Sequence, residues 1–135
     1  MAKVKQQIKN AIIWIDRLKT TKLKQGSRQL GDSKHGYCCL GYGCKILKVP
    51  FNPNHGTEPA FADKVGLDDD GGTFTGGGLR LNNRRPTFVS SVESLMELND
   101  DAGYSFRKIS TFIKKNVDVL FIKEVAEGIN KHYTK

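Results

Sequence analysis

His35-Gly36-Tyr37-Cys38-Cys39-Leu40-Gly41-Tyr42-Gly43-Cys44-Lys45-Ile46-Leu47 is the stretch on which the fold turns. Its apolar content calls for burial, but its local structure can be read in two ways. As a helix it places Leu40, Cys44 and Leu47 on one face. As a strand it alternates Tyr37, Cys39 and Gly41 with Cys38, Leu40 and Tyr42. Gly36, Gly41 and Gly43 weaken both readings. A short helix is preferred, because residues this small let another element pack closely, and the strand stays open. The three cysteines cannot all pair within one chain and two of them are adjacent, so reduced thiols are expected rather than a secreted disulfide scaffold. Buried thiols behave as small hydrophobes. Tyr37, Cys38, Cys39, Leu40 and Cys44 are therefore read as a core motif.

Working towards the N-terminus, Val4, Ile8, Ala11, Ile12, Ile15 and Leu18 recur every three or four residues, which is a helix with one buried stripe. Trp14 flanks the stripe, Leu23 is read as closing the cluster, and Gly26, Gly31, Asp32 and Ser33 mark a loop. Towards the C-terminus, Pro50, Pro53 and Pro59 break up the chain. Phe61 to Leu67 reads as one or two helical turns, and Thr73 to Leu81 as a small hairpin in the glycine-rich middle. Ser90 or Ser91 can cap a helix carrying Val92, Leu95, Met96 and Leu98, and Ser105 starts another with Phe106, Ile109, Phe112 and Ile113. A final helix carries Val117, Leu120, Phe121, Val125, Ile129 and Tyr133. The fold class is α+β: a predominantly helical single domain over residues 1–135, with a small antiparallel β element in the glycine-rich middle and an irregular segment at 50–88.

The chain of 135 residues has a formal charge of +8, unevenly spread. Residues 1–48 hold 11 Lys+Arg against 2 Asp+Glu, residues 49–104 hold 4 against 9, and residues 105–135 hold 7 against 3. Arg17, Lys19, Lys22, Lys24 and Arg28 form the densest basic run, and with Arg84 and Arg85 they are the candidate macromolecule-binding residues. Thr73, Thr75 and Arg80 are a candidate anion site, although no Gly-Lys-Ser or Gly-Lys-Thr ending makes the glycine run a nucleotide-hydrolysing loop. Asp68-Asp69-Asp70 opens like a calcium loop but meets Leu79 where a bidentate Glu is needed. His35 and the three cysteines supply four soft ligands within ten residues, yet adjacent cysteines face different sides. No metal or cofactor is expected. Cysteine-dependent catalysis would require His35, His55 or His132 beside a thiolate, and none sits in a recognisable motif.

The sequence also resembles a group of small, mostly uncharacterised proteins of bacteriophages and other bacterial mobile elements. The resemblance rests on Trp14, Lys24-Gln25-Gly26 with Leu30, Tyr37-Cys38-Cys39-Leu40-Gly41 with Cys44, and Leu98-Asn99-Asp100 followed by Gly103, Ser105-Phe106 and Ile109. These anchors run from about position 14 to 113; Tyr42-Gly43 departs from the bulky aliphatic pair usual before the last cysteine, and 52–87 is poorly covered. It implies an accessory protein made inside a bacterial host and carries no particular activity. Apolar runs far shorter than a bilayer span and the lack of a signal-like segment lead to the same expectation, a cytoplasmic protein with no membrane partner. The leading expectation is non-catalytic binding and modulation of a host macromolecule, foremost a protein. The alternatives are nucleic-acid binding through the basic run and a small-ligand binder or cysteine-dependent enzyme. Homo-oligomerisation would follow if the last helix exposed an apolar strip.

Overall fold

Ala2–Thr20 form the first helix, α1, in the computed structural model, which describes residues 2–26, 29–55, 58–68, 95–96, 98–99 and 103–134. Ala11, Trp14, Ile15 and Leu18 are buried along it, while Val4, Ile8 and Ile12 are only half-buried. The stripe is rotated from the purely apolar one, because it continues through Gln7 and Asn10. The Gln7 amide donates to the Asp63 carbonyl (2.7 Å) and the Asn10 amide to that of Lys64 (3.0 Å). Both carbonyls lie near the C-terminal end of a second helix, where backbone acceptors lack helical partners. Two buried amides thus fill a role that hydrophobic periodicity does not register.

The cysteine segment is a helix, α2 (Cys39–Ile46), and it starts on a thiol: Cys38 is the N-cap, its Sγ accepting from the Gly41 amide at 3.3 Å. Gly41 faces the Leu30 backbone so closely that a β-carbon there would sit 1.9 Å from the Leu30 oxygen. The small residues that blurred the helix–strand choice are what admit this contact. Before α2 the chain forms an antiparallel pair, β1 (Gly31–Asp32) and β2 (Gly36–Tyr37), with Gly31 opposite Tyr37. Asp32 shapes the turn by accepting from the amides of Lys34 (3.0 Å) and His35 (2.7 Å). The hairpin expected within 73–81 lies outside the described residues, as does the Ser90/Ser91 cap. The described sheet is N-terminal to the cysteines.

Helix α3 (Pro59–Val65) opens on Glu58, whose carboxylate accepts from the Ala60 amide, followed by proline in its first turn; it closes on Gly66 in the left-handed conformation (φ 74°). Residues 95–96 and 98–99 are helical, and Leu95 and Leu98 are buried. Helix α4 (Phe106–Lys115) is capped by Ser105, which accepts from the Lys108 amide at 3.1 Å. The single final helix read from the sequence is instead α5 (Val117–Leu120) and α6 (Lys123–Tyr133), broken at Phe121 and Ile122. There the backbone pairs with the segment after α3: Asp68 donates to Leu120 and Ile122 to Gly66. The architecture is predominantly helical, with a small antiparallel sheet among the described residues. Helices α3, α4 and α6 all pack on α1, and the Ser110 hydroxyl, buried in α4, donates to the Ile15 carbonyl at 2.8 Å. No helix among the described residues is long and apolar enough to cross a membrane.

Candidate functional site

The thiols are interior. Cys38, Cys39 and Cys44 are 3%, 0% and 0% exposed, and none is in a disulfide. Tyr37 and Leu40 are buried with them. Burial, aided by the negative charge of Glu58, pushes the Cys44 thiol up to about 12, the opposite of what a nucleophile needs. His35, His55 and His132 are all exposed. His35 is turned to Asp32 (Nδ1 to Oδ1, 3.0 Å), and the His35 backbone amide is the main reason the Asp32 carboxyl lies below its ordinary range. His132 stacks edge-on with Tyr133. Among the described residues no three His, Cys, Asp or Glu side chains are grouped to hold a metal ion.

The basic run leads elsewhere. The helical bonding of α1 ends as the Thr21 amide reaches the Arg17 carbonyl (2.8 Å), and the Thr21 hydroxyl then accepts from the Leu23 amide (3.2 Å). This small turn swings Leu23 outward instead of closing the core. At 42% exposure it is the one large hydrophobic side chain left open to water among the described residues. Opposite stands the first turn of α4. The Gln25 side chain ties the two together: its Oε1 accepts from the Phe106 amide (3.0 Å), and its Nε2 donates to the Tyr104 carbonyl (2.7 Å) and to Asn99 Oδ1 (2.8 Å).

The result is an open groove of about 560 Å³ between residues 18–25 and 105–107. Leu18 and Phe106, 1% and 5% exposed, form its floor, and Lys19, Lys22 and Arg107 stand along its walls. No Asp or Glu contributes to its lining, and none of these three cations forms an ion pair among the described residues. Arg17 and Lys24 are exposed on the flanks without lining the groove, Lys24 lying 3.4 Å from the Lys34 carbonyl oxygen. Arg28, Thr73, Thr75, Arg80, Arg84 and Arg85 lie outside the described residues. Arg107 was not among the residues singled out from the sequence. The cap at Ser105 is legible there, but nothing local says that α4 begins beside the end of α1. Comparison with known proteins gives no matching family model, no matching curated protein and no matching solved structure.

Proposed function

We propose that the chain is a non-catalytic accessory protein of a phage or mobile element that binds a host protein in the bacterial cytoplasm and modulates it. The observation that carries this reading is the groove: a cationic wall with no carboxylate among the described lining residues, an apolar floor and an exposed leucine, in a protein whose thiols are all interior. Catalysis by a cysteine would need a hydrated thiolate next to an imidazole, and buried thiols with exposed histidines offer no support for it.

The test is affinity capture from bacterial lysate with the wild-type chain and with Lys22→Glu/Arg107→Glu as baits, followed by calorimetry with each purified candidate. Saturable binding by at least one purified protein, with a measurable effect on that protein's activity, is the expected result. Failure of every captured protein to bind in purified form would overturn the reading.

A further inference from the structure

Resting on that reading, we infer that the groove between residues 18–25 and 105–107 docks an acidic segment of its protein partner, with one large apolar side chain entering beside Leu23. The charge argument is direct. Lys19, Lys22 and Arg107 line the cleft with no acidic residue among its described lining, and Lys108 on the same first turn of α4 is exposed. A carboxylate-bearing segment meets complementary charge there, and a basic one meets like charge.

Charge alone would equally suit a nucleic acid; the apolar features separate the two. Strands of nucleic acid are held by phosphate contacts together with aromatic faces on which bases stack. The one aromatic among the groove's described lining residues, Phe106, is 5% exposed and presents no such platform. What it presents is aliphatic: Leu23 at 42% exposure above the buried Leu18. An apolar side chain placed against Leu23 removes both from water, and such anchors are what give protein interfaces their affinity while rim charges set orientation.

A displayed library of random twelve-residue peptides, selected on the wild-type chain, tests the inference. The enriched peptides should carry net negative charge and a Leu, Ile, Phe or Trp. Resynthesised with a fluorescent label, they should lose tenfold or more in affinity for Lys22→Glu/Arg107→Glu and a comparable factor for Leu23→Asp. A labelled twelve-nucleotide single strand should bind at least tenfold more weakly than the peptides at the same salt. All substituted side chains are exposed, and unchanged circular dichroism and thermal midpoints establish that the variants are folded. No enrichment, enrichment of neutral or basic peptides, or affinities indifferent to these substitutions would each overturn the inference, as would tighter binding of the oligonucleotide. If a purified host partner meanwhile binds wild type and groove variants equally, the protein-binding reading stands and only the groove assignment falls.

Discussion

Replacing Asn99 by aspartate changes one atom of a side chain that is 4% exposed, and the cost follows from its hydrogen bonds. Asn99 Oδ1 accepts from Gln25 Nε2 (2.8 Å) and from the Cys39 amide (3.2 Å), and Nδ2 donates to the Gly26 carbonyl at 2.9 Å. Aspartate keeps both acceptor roles but turns the third bond into two oxygens facing each other at hydrogen-bond distance. Losing that bond costs about 1 kcal/mol, and burying a carboxylate against a carbonyl adds a few more, so Asn99→Asp should lose about 3 kcal/mol near pH 8. Once protonated, the introduced carboxyl would again have a hydrogen to give Gly26. The folded state therefore raises its pKa, and the stability contributed by the neutral form is complete below the unfolded carboxyl value near 4 and lost as pH rises above it. The penalty relative to wild type should shrink towards pH 4. Guanidinium unfolding followed by Trp14 reads this out: the chain's one tryptophan is fully buried, edge-on to Phe61 at 4.9 Å. A loss under about 0.5 kcal/mol at pH 8, or a penalty growing on acidification, would refute the account of this amide as a donor to Gly26.

Gly41→Ala should be among the most destabilising substitutions, by about 3 kcal/mol or outright failure to fold, because backbone at Leu30 has to move. Gly103→Ala has open space around it but a φ of 68°, and should cost about 1 kcal/mol; equal thermal midpoints for the two variants would contradict the close approach at Leu30. Native protein should leave Cys38, Cys39 and Cys44 unlabelled by a thiol reagent until denaturant is added, when all three react; one fast thiol in the native state would undo the interior assignment. Burial raises the Cys44 thiol from about 9 to about 12, so its contribution to stability is intact below about pH 9 and lost as pH rises towards 12. Cys44→Ala should be less stable at pH 7, from the cavity it leaves, with a flatter decline over that alkaline window in equilibrium unfolding; an equal or steeper decline would count against the burial.

The elements that follow from local chemistry were legible. Ser105 caps α4 as its hydroxyl allows, and Phe61, Val65 and Leu67 pack inward around a short helix that proline admits and Gly66 ends. Features set by distant partners were not. Gln7 and Asn10 are polar letters in a helical pattern, and only the carbonyls of Asp63 and Lys64 give them a reason to be buried. Phe121 and Ile122 continue a helical periodicity, and the backbone of residues 66–68 draws them into extended conformation. Leu23 reads as a core residue until the hydroxyl of Thr21 turns it outward. The groove itself joins segments some eighty positions apart, so Lys22 was visible as a cation but Arg107 could not be paired with it.

Side chains far apart in the sequence are tied together around the start of α2 and the start of α4. Trp14 donates to the Cys39 carbonyl at 3.1 Å, Gln25 and Asn99 bond each other, and Asn99 reaches both Gly26 and the start of α2. Gln25 in turn fixes Phe106, the residue after the Ser105 cap. Of these residues Gln25, Ser105 and Phe106 line the groove, and Lys22 and Leu23 shortly precede Gln25 while Arg107 immediately follows Phe106. The charge and the exposed apolar group of the groove thus sit on three positions beside these contacts. Exchanging Lys22, Leu23 and Arg107 for other exposed side chains should redirect peptide selection while changing the unfolding free energy by no more than about 0.5 kcal/mol, since only their backbone enters the neighbouring turn and cap and their side chains are exposed. Loss of folding in such an exchange would mean that the cleft walls hold up the scaffold, rather than resting on it.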